Sequence, residues 1–356
     1  MPSKLFKKRV QNFEPYIPNE IDDCIKLDAN ESPFNLSVAV RENVMKRLNK
    51  VDYMHYPDTN ADVLRESLSK YIDIPSKNIV VGNGSDEMIH VLLNTFVEPD
   101  DYVISHNPTF TMYGINTSIL GGNYLEIPKS DKFKIKIDEL IERANEKKAK
   151  VIMLCNPNNP TGVSTKREDI IRLLDETESI VVVDEAYIEF GGESIIDKVL
   201  EYKKLIVLRT FSKAFGAAAI RTGYLVSSEE IAKKIMAVKA PYNLNSLSQI
   251  IAEELLNDIQ TIEDNIKIIS AERNRVYNEI KNIEGIKAYE SVANFILFEV
   301  KDAEKVFEEL KKRGILIRLF KDGPLKNHLR MTIGSIYANQ KFIDSIKEII
   351  DEFDLK

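Results

Sequence analysis

Lys213 stands in RTFSKAFGAAAIRTG (residues 209–223), with Ser212 beside it, Thr210 just upstream and Arg221 beyond a run of Gly and Ala. Lysine becomes a useful nucleophile when desolvation or a neighbouring cation lowers its pKa. Arg221 can be that cation and can also clamp a phosphate, for which Ser212 and Thr210 add hydroxyl donors. Further upstream, GNGSDE (82–87) follows the apolar run IVV and opens an amphipathic stretch. Two glycines before a helix start offer backbone N–H groups to an anion. Glu87 breaks the GxGxxG pattern and no GK[ST] follows, which weakens the dinucleotide and triphosphate readings. A second buried run, IVVV, ends in Asp184, followed by Glu185, Ala186 and Tyr187. A carboxylate at the inner end of such a strand needs a partner: an arginine, a helix N-terminus or a cationic ring nitrogen. NPNNPTG (156–162) follows VIMLC, and its Asn and Pro end that strand in a turn.

A phosphate cradle, a buried Asp, an Asn/Tyr pair and an amine on one sheet edge suit pyridoxal phosphate. Its ring nitrogen wants a carboxylate, its phenolic oxygen wants donors and its aldehyde wants a lysine. In order and spacing, NPNNPTG, DEAY and SKAFG…R resemble the class I/II aminotransferases of the aspartate aminotransferase fold. The segments LDANESPFN, YPD (56–58), NPTFTMY (107–113), GILIR and LRMTIG are most similar to the histidinol-phosphate aminotransferase branch of that family.

The resemblance implies roles position by position. Lys213 matches the lysine that joins the cofactor aldehyde and moves the substrate proton, and Asp184 the partner of the ring nitrogen. Asn159 and Tyr187 match the donors to the phenolic oxygen, and Phe110 the aromatic that stacks on the ring. Thr210, Ser212, Arg221 and the backbone of Ser85, Asp86 and Glu87 match the phosphate site. Tyr56 matches a tyrosine that reaches that phosphate from a neighbouring subunit, which implies a homodimer with shared active sites. Arg330 matches the arginine that takes the substrate carboxylate, while Tyr16, in EPY, matches a tyrosine holding a substrate phosphate. Asn30 and Arg318 complete the substrate set, although ion pairs within the small unit are the other account of Arg318 and Arg330. Planar, permanently charged guanidinium suits carboxylate and phosphate alike.

The implied activity is amino transfer between L-histidinol phosphate and 2-oxoglutarate, giving imidazole-acetol phosphate and glutamate, in histidine biosynthesis. An aromatic amino-acid aminotransferase and a threonine-phosphate decarboxylase are the competing readings on the same scaffold. A non-catalytic cofactor-binding regulator is the competitor of another class, and the segment before the cofactor unit is too short for an added DNA-binding module.

Elements must hold these residues. The apolar runs NIVVG, DYVIS, NYLEI, VIMLC, SIVVVD, KLIVL and GYLVS predict seven strands, covered on both faces because Val, Ile and Leu are nearly continuous in them. Amphipathic stretches between them predict helices, so the fold class is α/β, a seven-stranded mostly parallel sheet covered by helices. From residue 245 the pattern changes to long helix. A smaller α/β unit follows, with strands in ANFILFEV, ILIRLF and HLRMTIG, and a last helix whose Phe342, Ile343, Ile346, Ile349, Ile350 and Phe353 share one face. The expected organisation is an N-terminal segment (1–40) packing on the small unit, a large cofactor-binding unit (41–275) and a small C-terminal unit (276–356). At 356 residues the chain exceeds what one core usually serves.

Bulk properties narrow the class. A net charge of −7 argues against nucleic acid as a partner, and no apolar run approaches a membrane span or signal peptide. The expected partners are small-molecule substrates and a second copy of the chain, and the expected compartment is the cytoplasm. Cys24 and Cys155 form no CxxC pair, and four histidines show no HExxH spacing, so no metal site is expected. The basic KLFKKR near the start reads as a solvated arm.

Overall fold

The computed structural model describes residues 5–11, 13–14, 23–128, 130 and 133–356. Strand β1 (Ile25–Leu27) precedes the seven expected strands, which are β2 (Ile79–Gly82), β3 (Tyr102–Asn107), β4 (Asn123–Pro128), β5 (Val151–Cys155), β6 (Ile180–Asp184), β7 (Leu205–Thr210) and β8 (Gly223–Ser227). These seven form one sheet in the order β2-β8-β7-β6-β5-β3-β4, in which β8 alone runs antiparallel to its neighbours.

Successive side chains of a strand point to opposite faces, and here they feed two separate cores. Ile152, Leu154, Val181, Val183, Leu205 and Val207 pack on one face with Leu140, Ile170 and Leu173 of the helices Ile137–Lys147 and Arg167–Glu176. Val151, Met153, Val182, Ile206 and Leu208 pack on the other with Met88, Ile89 and Leu92 of the helix Ser85–Phe96. The alternation continues past the strand ends and decides which side chains reach the site. Asp184 and Thr210 fall in step with Val182 and Leu208.

The small sheet adds β9 (Ile286–Ala288), β10 (Phe295–Val300), β11 (Ile315–Phe320) and β12 (His328–Thr332), in the order β1-β11-β12-β10-β9. Here β1 pairs in parallel with β11, so residues 25–27 belong to the same sheet as residues 315–317. The helix Ile336–Glu352 buries Phe342, Ile343, Ile346, Ile349 and Ile350 against this sheet's core, whereas Phe353 caps its end half-buried.

Two details differ from the expectation. The long helical stretch is two helices, Ser246–Asn257 and Ile259–Ile280, broken at Asp258, whose carboxylate accepts from the Ser37 and Thr261 hydroxyls. The basic arm is not simply solvated. Arg9 donates to the Gly122 carbonyl at 2.8 Å and Lys7 to the Ile119 carbonyl at 3.2 Å, beside the helix Met112–Leu120. No described helix is long and apolar enough to cross a membrane.

Candidate active site

The carboxyl ends of β2, β5, β6 and β7 converge where ligands collect in an open α/β sheet. The helix Ser85–Phe96 begins there, and the first N–H groups of a helix have no partner within it. Gly84 before it has φ of 85°, and a side chain on it would lie 2.8 Å from the Arg221 guanidinium. Gly223 on β8 backs the same turn, and a Cβ there would collide with the Ser85 nitrogen and the Gly84 carbonyl carbon. Thr210 donates to the Ser212 hydroxyl at 3.0 Å, and Arg221 reaches that hydroxyl at 3.4 Å and the Asp86 carboxylate at 3.3 Å. The Glu87 side chain turns away, accepting from the backbone N–H of Asn83 and from the Asn243 amide. Together these groups form a cup of hydroxyls, a guanidinium and a helix N-terminus, suited to a dianion.

Beside the cup, Lys213 is half-buried and donates to the Ala29 carbonyl at 2.9 Å, with its ammonium 5.9 Å from the Tyr187 ring centre. Burial, and then the nearby Arg330, lower its pKa to about 8. Asp184 is buried and accepts from the Tyr113 hydroxyl at 2.7 Å and the Ala186 N–H at 3.2 Å. Burial raises its pKa to about 6 against the pull of those two hydrogen bonds. The Tyr187 hydroxyl accepts from Asn30 Nδ2 at 2.9 Å, and burial pushes its pKa up, so it keeps its proton. Phe110 is half-buried at the end of β3.

The small unit closes the opposite wall. Arg330 on β12 donates to Asn159 Oδ1 at 2.5 Å and to the Asp28 carbonyl at 2.7 Å, over the Phe295 ring. Arg318 lies directly opposite it in register on β11. Asn30, at φ of 55°, is tied to Thr332 and to the Asn294 amide. Left-handed backbone is tolerated better by Asn than by most residues, so this turn places a polar side chain against Tyr187.

Lys213, Asp184, Tyr187, Asn159, Asn30, Arg330 and the cup are therefore gathered at one place. Tyr56 is not. It is 80% exposed and stacks on Tyr242 at 4.5 Å between ring centres. Tyr16 lies outside the described residues. Cys155 is buried, taking a contact from the Asn159 N–H at 3.4 Å. His90 is exposed and meets Asn116 rather than packing inward. Among the described residues no three His, Cys, Asp or Glu side chains form a metal-binding group.

Two features escaped sequence reasoning. Tyr113 sits one helical turn after Phe110, and that spacing was the available signal. Glu185 and Arg209 form a buried ion pair at 2.8 Å, on the face of the sheet opposite Asp184 and Thr210. Glu185 also accepts from Ser194 and the Ile195 N–H. The two residues adjacent to site residues thus pin the ends of β6 and β7 together from behind.

A profile of the family described as aminotransferase class I and II matches residues 22–346. The chain belongs to that family. It is 41% identical over 356 residues to the histidinol-phosphate aminotransferase of Clostridium novyi, covering all of this chain and 99% of that one. It is 38% identical over 345 residues to the histidinol-phosphate aminotransferase of Pyrococcus furiosus, covering 97% and 98% of the two chains. Among solved structures, the Sinorhizobium meliloti histidinol-phosphate aminotransferase in complex with pyridoxal-5'-phosphate superposes with a TM-score of 0.90. Its identity is 21%, with 98% of each chain covered, so it speaks to the fold.

Proposed function

We propose that this aminotransferase uses pyridoxal 5'-phosphate to exchange the amino group between L-histidinol phosphate and 2-oxoglutarate. The products would be imidazole-acetol phosphate and glutamate, in cytoplasmic histidine biosynthesis. The observation that carries the cofactor is the pairing of a half-buried lysine of lowered pKa with a buried carboxylate that has no cation beside it among the described residues. Such a carboxylate is costly unless a positive group arrives, and the protonated ring nitrogen is one. The cup fits the phosphate, with glycines where any Cβ would block it. The names of relatives near 40% identity over the full chain support the substrate.

In this reading Ser85, Asp86 and Glu87 (through their N–H groups), Thr210, Ser212 and Arg221 would hold the phosphate. Phe110 would stack on the ring, and Tyr187 and the Nδ2 of Asn159 would donate to the phenolic oxygen. When bound, the cofactor supplies an aldehyde carbon and an electron-accepting ring. Asp184 keeps a proton on the ring nitrogen. Lys213 would act as the base that takes the proton from the substrate Cα and delivers it to the carbon of the cofactor's aldehyde group, a transfer that needs a base held within reach. Asn159 holds Arg330 in place. Arg330 and Arg318 take the carboxylate of glutamate or the phosphate ester of histidinol phosphate, with Tyr16 and Asn30 beside them. Tyr56, exposed in the single chain, would complete the phosphate site of a partner in a homodimer. The same reading divides the chain into a cofactor-binding unit over 41–275 and a small unit over 276–356, on which segment 1–40 would pack.

The purified protein reconstituted with the cofactor is expected to be yellow, and borohydride to fix the label on Lys213. Single turnovers with a panel of amines then test the substrate. Histidinol phosphate and glutamate should bleach the visible band fastest. Faster bleaching by phenylalanine would favour an aromatic aminotransferase, and release of carbon dioxide from threonine phosphate a decarboxylase.

A further inference from the structure

We propose that Tyr113 is a positioning residue that keeps the Asp184 carboxylate ionised and aimed at the cofactor's ring nitrogen, and so sets how strongly that ring draws electrons. The proposal rests on the cofactor reading above.

Asp184 accepts two hydrogen bonds, one per oxygen: the Ala186 N–H on Oδ1 and the Tyr113 hydroxyl on Oδ2. The second is the shorter and comes from a side chain with no exposed surface. Val182, Leu208 and Met153 line the same core, and the one polar neighbour there, the Cys155 thiol, is a far weaker donor than a phenol. Among the largest influences on Asp184, the two charged ones, Asp86 and Glu185, oppose its ionisation. Tyr113 cannot change roles. Burial and the neighbouring carboxylate push its pKa far up, so it remains the donor. Its position is held from three sides. Its ring meets the edge of Phe110 at 5.6 Å, its carbonyl accepts from the Thr117 hydroxyl, and Cys155 faces it from β5, in register with Asp184. One tyrosine therefore links the stacking ring to the carboxylate.

Removing the phenolic oxygen leaves Oδ2 bare in an apolar wall, where an unsatisfied charged group is penalised. The carboxylate becomes more basic and draws the proton from the ring nitrogen toward itself. A less positive ring withdraws electrons less well and lets the lysine–cofactor nitrogen hold its proton to higher pH.

The test uses the cofactor-loaded protein and the pH midpoint of its visible absorption change. Tyr113→Phe, which keeps the ring, should move the midpoint up by about one pH unit, the scale of one hydrogen bond to a charged group. Its kcat should fall about tenfold, with KM for glutamate within about twofold. Incorporating 3,5-difluorotyrosine at position 113 strengthens the donor at nearly constant shape and should move the midpoint down. Packing alone cannot move it in both directions, and this second variant decides the matter should Tyr113→Phe fail to fold. Midpoints that stay at the wild-type value, or that shift the same way in both proteins, would overturn the role of Tyr113. Wild type that takes up no cofactor, or Asp184→Asn that leaves the midpoint in place, would instead overturn the cofactor reading itself.

Discussion

Lys213 gives up its proton near pH 8 rather than 10.5 because burial disfavours the ammonium and Arg330 repels it. Only the neutral amine attacks an aldehyde. The rate at which cofactor-free protein captures pyridoxal phosphate should therefore climb with pH and level off above about 8, as stopped-flow absorbance would show. Arg330→Gln removes the repelling cation, so the same profile should move to higher pH. Asp184→Asn should retain cofactor yet turn over at least about tenfold more slowly, roughly 1.4 kcal/mol of barrier, because an amide cannot keep the ring nitrogen protonated. Arg330→Ala should slow both half-reactions in single-turnover assays; a defect confined to glutamate would place the histidinol phosphate anion elsewhere. At this scale the sequence was readable wherever chemistry demands a residue type. Lys213 and the Asp184 carboxylate stand out because an amine and a charge at the ends of buried strands need explaining. Tyr113 did not stand out, since a tyrosine in an amphipathic helix is ordinary and its partner lies 71 residues away.

The strands were legible for a different reason. Nearly continuous Val, Ile and Leu in β5, β6 and β7 can be satisfied only by cover on both faces. β1 and β9 are three residues each and carry no period to read. The helix break at Asp258 was hidden because apolar spacing continues across it, while the side-chain bonds that end the first helix come from Ser37 and Thr261. The contact between β8 and the start of the helix Ser85–Phe96 was equally invisible, being a matter of backbone approach. That contact yields a prediction at the level of elements. Gly223→Ala must push β8 away from the Ser85 nitrogen. Overpacking of this kind costs about 1–3 kcal/mol. Since the displaced groups are the proposed phosphate donors, cofactor affinity should drop by about tenfold or more, read by equilibrium titration, while the far-UV circular dichroism stays unchanged.

For the whole molecule the informative residue is Tyr56, an aromatic stacked on Tyr242 and largely open to solvent. A shared site in a two-fold dimer would use it. Lys213→Ala and Tyr56→Ala chains, each nearly inactive alone, can be mixed and allowed to exchange. About half of the dimers are then mixed and each carries one site without a lesion, so about one quarter of all sites should recover activity. Were Tyr56 to serve its own chain, every site would keep one lesion and the mixture would remain at the parental level.

The parallel pairing of β1 with β11 gives the molecule a timetable. Strands β2 to β8 lie between residues 79 and 227, so the sheet with its amine and anion cup can be complete while the ribosome is still at work. Residues 25–27 have by then waited for a neighbour that is translated about 290 residues later. At roughly 5–20 residues per second the delay is on the order of 15–60 seconds. Asp28 and Asn30 follow directly on β1, and they meet Arg330 and Thr332 only once that neighbour has been made. In the proposed function, the lysine and cup that would take the cofactor are thus synthesised before the strand that would complete the wall for the substrate anion.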